Sequence, residues 1–392
     1  MTTGTLWIHT PVGQQAGGAW VDQLLGRGAA VHQRIEVVRG ADPADAVGEL
    51  FHERGWTDGL PVVAPTLARV RAMLRFATEA PDTSIGALDP MRGEATVEKI
   101  AANAVMAGCR PEHFPVVLAA VRALADPAFN LRGVQTTDEN VAPLLVVSGP
   151  IVRQLGINAG AGALGPGCRA NATIGRALRL AMTNIGGGWP GLTSLAGIGQ
   201  PGRYTLCVAE NEQASPWPPL HTEAGLPALA SAITLLRAEC SINVTGGLAE
   251  IASVMGSAAS AFNALHAGCV AVIVAPATAA ALAARGWGKG DIAQYLFDAG
   301  RIPHAQWRDM WVREHIVPDH GAPAWVQAAD RAGAPIPVVA APQDIVIFVA
   351  GGSMPIAQHV YFPSWGFPYC RLTQPVALPS HWPFASGAPS CP

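Results

Sequence analysis

Hydrophobic positions in this chain fall into two rhythms. Short strand-like, largely apolar runs occupy residues 60–63, 143–147, 204–208, 270–274 and 345–349. Between them, apolar residues recur at helix-face spacing over 67–76, 97–107, 112–124, 171–184, 248–265 and 291–298. Strand-like runs alternating with such helices predict an α/β protein with largely parallel sheets flanked by helices. Residues 1–45 lack a clear pattern and read as an N-terminal arm.

A chain of 392 residues exceeds the size at which one core usually stops growing, so two lobes are expected. The Pro-rich stretch 215–219 suggests the divide, giving a first α/β lobe over 46–214 and a second over 215–392. Residues 141–156 and 269–283 each read as strand, small-residue turn and helix, an echo that points to a weak internal duplication. A small-molecule cleft is then expected between the lobes.

Half of the residues are hydrophobic, yet no run approaches the roughly 20 apolar residues of a membrane helix. With no basic region or apolar core of a signal peptide at the start, the expected location is the cytoplasm. The net charge of −3, without a basic stripe, argues against nucleic acid as a partner. Only 14% of residues are charged, against about 25% in ordinary domains, so the charges that remain read as placed. Lys99 and Lys289 are the two lysines, and lysine, unlike arginine, can lose its proton when buried.

Between residues 156 and 221, Arg169, Arg176, Arg179, Glu210, Glu212 and His221 stand beside glycine-rich loops. The loop 160–171 runs toward a helix for which Asn171 is the expected N-cap. With Arg169 at its mouth and Arg176 and Arg179 further along, this segment reads as a carboxylate or phosphate pocket. It is not a phosphate-binding Walker loop, because no Gly-Lys-Ser/Thr follows. After the strand at 204–208 come Glu210, Asn211, Glu212 and, shortly after, His221. Acidic groups at the carboxyl end of a strand occupy the usual ligand crevice of an α/β sheet, where they can move protons or hold a divalent metal. The turn at Gly351, Gly352 and Ser353 offers a second backbone contact for an anion.

Seven cysteines without a Cys-x-x-Cys pair suggest neither a disulfide framework nor a zinc ribbon. Cys109, Cys168 and Cys370 are each followed directly by arginine. Cys109 lies between Gly108, which ends one helix, and Pro111, which suits the first turn of the next. A thiol there, beside Arg110, is expected to have a lowered pKa and to act as a thiolate nucleophile. Cys207, mid-strand, is a weaker candidate. Glu98 and Lys99 open the helix leading to Cys109, and Glu98 shares a face with the thiol about three turns away. Trp56 and Asp58 are expected in the wall of the same cleft.

Four blocks of sequence, 56–66, 96–111, 169–179 and 209–221, carry a resemblance. They read Trp-Thr-Asp-Gly-Leu-Pro-Val-Val-Ala-Pro-Thr, Thr-Val-Glu-Lys-Ile-Ala-Ala-Asn-Ala-Val-Met-Ala-Gly-Cys-Arg-Pro, Arg-Ala-Asn-Ala-Thr-Ile-Gly-Arg-Ala-Leu-Arg and Ala-Glu-Asn-Glu-Gln-Ala-Ser-Pro-Trp-Pro-Pro-Leu-His. Over about residues 50–375 the chain resembles a bacterial family associated with UGSC-type thiol or selenol proteins related to glycine-reductase component B. The resemblance implies thiol chemistry near the site, by association. The Cys-Gly-Ser-Cys segment of those proteins is missing here, so a reductase role would need a thiol or selenol protein partner.

The expected function is therefore a cysteine-dependent enzyme, a lyase, transferase or hydrolase, acting on a small anionic metabolite. Cys109 is the expected nucleophile, with Glu98, Lys99, Glu210, Glu212 and His221 in acid–base roles. Trp56, Asp58, Arg110, Arg169, Asn171, Arg176, Asn211, Gly352 and Ser353 would bind substrate. No cofactor is expected, and a homo-oligomer is. Two alternatives stand beside this. One is a metalloenzyme, with an iron–sulfur cluster on Cys109, Cys168 and Cys370 or a divalent metal on Glu210, Glu212 and His221. The other is a non-catalytic substrate-binding subunit of a thiol or selenol reductase system.

Overall fold

The computed structural model describes residues 4–12, 35–366 and 371–384. Its strands are β1 (Gly4–His9), β2 (Ile35–Gly40), β3 (Ser84–Leu88), β4 (Gly93–Thr96), β5 (Ala142–Ser148), β6 (Cys207–Ala209), β7 (Ala232–Ala238), β8 (Ile242–Thr245), β9 (Val270–Val274), β10 (Ile345–Val349), β11 (Gln358–Phe362) and β12 (Leu372–Pro375). Among its helices are α1 (Pro43–Glu53), α2 (Leu67–Leu74), α3 (Val97–Ala107), α4 (Phe114–Ala125), α5 (Arg169–Asn184), α6 (Leu248–Met255) and α7 (Lys289–Ala299). The α/β class follows directly.

The framework is two four-stranded sheets packed face to face, with helices on both outer faces. Side-chain alternation along the strands creates the layers. In β5, Ala142, Leu144 and Val146 point to the layer between the sheets, and Leu145 and Val147 point out toward the helices. In β9 and β10 the same split sends Ala271, Ile273, Val346 and Phe348 inward, and Val272, Val274, Ile347 and Val349 outward. Both faces are apolar, which is why these strands read as unbroken hydrophobic runs.

The sheets are ordered β6-β5-β7-β12 and β10-β9-β11-β8. Each has one parallel pair, β5 with β6 and β9 with β10, followed by antiparallel partners. Parallel pairing is thus present but does not dominate as expected. Segments 141–156 and 269–283, which echo each other in sequence, contribute β5 and β9, and these hold matching places. The fourth strands cross over: β8 follows β7 but pairs with β11, while β12 follows β11 but pairs with β7. The expected divide at residue 215 therefore does not separate the sheets, because β7 and β12 return to the first one.

Other expectations shift locally. Residues 60–63 form no strand; Pro61 has no N–H to give a ladder, and the segment is a loop. The helix expected over 248–265 stops at Met255, followed by Gly256, and restarts at Ala261–His266. In the arm, β1 pairs antiparallel with β2. No single helix among the described residues is long and apolar enough to cross a membrane.

Candidate functional site

The parallel pair β5–β6 ends on one side of the first sheet, and the chain leaves both strands through polar turns. After β6, Glu210 N donates to Val147 O at 2.9 Å, and Asn211 N reaches Val349 O, at the end of β10, at 2.7 Å. After β5, Gly149 takes a φ of 92°, a left-handed conformation natural to glycine, and its would-be Cβ position is filled by Ala230 O at 2.2 Å. A cavity of about 560 Å³ opens here, lined among others by Gly149, Arg153, Asn158, Glu210, Glu212 and Leu229. Its place outside the carboxyl ends of parallel strands is the one expected for an α/β ligand site.

Glu212 is the partly exposed acid of the cavity, its carboxylate accepting from Gly149 N. His221 is fully buried behind it, with Nδ1 at 3.9 Å from Glu212 Oε1 and no hydrogen-bond partner on that nitrogen. The other ring nitrogen, Nε2, lies 3.4 Å from Ala228 O. A proton on Nε2 leaves Nδ1 as a lone-pair acceptor 3.9 Å from the carboxyl group.

Glu210 sits deeper. Its Oε2 accepts from Leu220 N at 2.8 Å, which fixes the turn carrying His221, and its Oε1 is 3.5 Å from Lys289 Nζ. Lys289 begins α7, so the second half of the chain supplies this counterion; it also donates to Pro218 O and Glu223. Burial pushes the Glu210 carboxyl up to about 7 against the opposing pull of Lys289 and the Leu220 N–H, with Glu212 and Glu223 adding to the rise.

The other expected residues have different work. Asn171 is buried inside α5 and is not its N-cap, which is Cys168. It ties the glycine-rich loop to the sheet: Oδ1 accepts from Asn158 N at 2.7 Å, and Nδ2 donates to Asn158 O, Ala163 O and Cys207 O. Gly352 packs against Ala161 of that loop, where a Cβ would approach at 2.8 Å, and Gly352 lines a separate groove; Ser353 beside it is exposed.

Cys109 does not line the cavity, and its surroundings oppose a thiolate. It is buried and donates to Thr173 O at 3.2 Å. Burial pushes the thiol up to about 12, outweighing the Thr173 contact and the Arg169 and Arg176 charges. Gly108 does end α3, as expected, with φ 91°, and a 3₁₀ turn, Pro111–His113, capped by Arg110, leads directly into α4. His113 nearby accepts from Arg110 N at 3.3 Å, and burial beside Arg169 and Arg110 lowers it to about 4.

Arg169 donates twice to Gly108 O, closing the end of α3. Arg176 forms a two-pronged pair with Asp58 at 2.7 and 2.8 Å and also donates to Leu60 O and Pro61 O. These two expected substrate ligands therefore satisfy each other and pin the loop at 60–63. Trp56 is buried, its carbonyl accepting from Asn184. Glu98 faces His9, and Lys99 donates to Thr10 O and Oγ1, so both anchor the arm.

Cys168 donates to Gly156 O, and Cys370 lies outside the described residues. No group of three His, Cys, Asp or Glu stands in metal-binding proximity among the described residues. Arg153 and Asn158 also line the cavity, and no motif in the sequence points to them. The strand-end rule that found Glu210 also applies to Arg153, one turn beyond the end of β5. Comparisons with protein-family models, curated proteins and solved structures find no match.

Proposed function

We propose that the chain is an acid–base enzyme, a lyase acting on a small carboxylate-bearing metabolite in the cavity at the ends of β5 and β6. The observation that carries this reading is Glu212 at the cavity wall, with the buried, unpartnered Nδ1 of His221 3.9 Å behind it. Arg153, exposed at the rim, and the backbone of the loop 156–160 would receive the substrate carboxylate. Glu212 would take a proton from the carbon next to that carboxylate, and a small approach would let the new O–H donate to His221 Nδ1. The electron pair released from the C–H bond would form the double bond as the leaving group departs with its own pair. Glu210 and Lys289 act as positioning residues, holding the turn that carries His221.

In this reading Cys109 belongs to the packing that supports the site. The test is incubation of the chain with a panel of hydroxy, amino and oxo acids in D₂O, followed by mass spectrometry. Solvent deuterium in one acid, or loss of water or ammonia from it, is the expected result. A panel that stays unlabelled and unchanged in the presence of folded protein counts against the reading.

A further inference from the structure

A second and larger cavity, about 700 Å³, opens near the other end of β6, where Arg203 and Tyr204 precede the strand. Arg179 and Thr183 of α5 form one wall, and Arg203, Tyr204 and Ile198 form another. Arg179 Nε donates to Arg203 O at 2.6 Å, and Arg203 Nη2 donates to Ser194 Oγ at 2.7 Å. Among the described residues neither guanidinium forms an ion pair, and no acceptor takes the terminal nitrogens of Arg179. Burial and the Arg203 charge lower Arg179 to about 9 against the opposing pull of Asp58, and burial lowers Arg203 as well.

The nearby carboxylates form no ion pair with them. Asp58, also on the wall, pulls on Arg179 from a distance but is ion-paired with Arg176. Glu239, within electrostatic reach of Arg203, accepts from Asn140 N and is pushed up to about 7 by burial and Glu139, so at neutral pH it carries only part of a charge. Two partly desolvated guanidiniums without an ion-paired carboxylate are costly to hold, and an oxyanion from solution offsets that cost with charge-assisted, forked hydrogen bonds. The rim is apolar: Ile198 is 89% exposed and Tyr204 49%. Such side chains left in water beside a cationic pocket suit the body of an organic acid rather than a bare ion.

We propose that this cavity is a binding site for an organic oxyanion, a carboxylate or phosphate on an apolar body, held by Arg179 and Arg203 and covered by Ile198 and Tyr204. It is separate from the Glu212 cavity.

The experiment is calorimetric titration of the full chain with phenyl phosphate, benzoate and inorganic phosphate. Phenyl phosphate or benzoate is expected to bind at one site, more tightly than inorganic phosphate, and the stronger of the two identifies the head group. Arg203→Gln and Arg179→Gln should each weaken it by about tenfold or more, and Ile198→Ser should weaken the aromatic ligand alone. Glu212→Gln should leave binding unchanged. If either Gln variant fails to fold, Arg203→Lys, which keeps the charge and loses the fork, should still weaken binding. Absence of binding by both aromatic ligands, or binding that survives the folded arginine variants, overturns the proposal. Equal affinity for inorganic phosphate overturns the apolar part of it.

Discussion

The neighbourhood of Cys109 and the end of β6 start from similar materials: a reactive side chain at an element end, basic groups close by, and glycines in the adjoining turn. They differ in what is left over. Around Cys109 the thiol donates to Thr173 O, Arg169 closes α3, and Arg176 is spent on Asp58. At the end of β6, Glu212 faces open space, His221 keeps an unpartnered nitrogen, and Arg153 reaches solvent. A dense cluster of chemistry-bearing residues can thus be a way of holding loops and helix ends together, and unused hydrogen-bonding capacity beside a cavity is the better guide to a candidate site.

The largest effect expected from this contrast is on stability. Asp58→Ala leaves Arg176 without its partner, in a pair whose side chains are 15% and 5% exposed for Arg176 and Asp58. Loss of about 3–5 kcal/mol is expected in urea denaturation, in line with breaking other buried pairs. Glu212→Gln, at a partly exposed position, should cost under about 1 kcal/mol. Similar losses for both variants would erase the distinction between a sealed and an open cluster.

A smaller effect concerns pH. The Glu210 carboxyl is raised from 4.5 to about 7, so the folded chain keeps a proton there that the unfolded chain has already released. Its contribution to stability is fully present below pH 4.5, falls as pH rises toward about 7, and levels off above. Between pH 5 and 8, wild type should lose about 2 kcal/mol more than Glu210→Gln. Parallel curves for the two proteins would show that Glu210 titrates normally.

The smallest effect is chemical reactivity at the sealed cluster. Iodoacetamide should label Cys109 in the native protein more slowly than the half-buried Cys168. Faster labelling of Cys109 at neutral pH would restore the activated thiolate and reverse the contrast.

Much of the framework is legible in the sequence, for identifiable reasons. Val270–Val274 and Ile345–Val349 are apolar runs buried on both faces, and their limits match the strands seen. Val97–Ala107 is bounded by Thr96, whose side chain accepts from Lys99 N, and by Gly108. By contrast, β7 passes unnoticed because Thr234 and Arg237 interrupt its apolar run, although both are buried; Arg237 lies over the Trp365 ring at 5.7 Å. The crossing of β8 and β12 depends on long-range pairing, which leaves no local trace. At the site, Glu210 and Glu212 stand out because acids follow a strand, and Lys289 stands out as one of two lysines. The partnering of Arg176 with Asp58, 118 positions away, could only be learned from the fold.

Proton transfer at Glu212, and not thiolate chemistry at Cys109, is the activity proposed for this chain. The direct measurement is the rate of deuterium incorporation or elimination for whichever organic acid the chain processes, compared among wild type, Glu212→Gln and Cys109→Ala. Loss of a positioned acid–base group predicts a rate about 10²–10⁴ lower for Glu212→Gln, with Cys109→Ala close to wild type once folded. A dead Cys109→Ala beside an active Glu212→Gln would contradict the account.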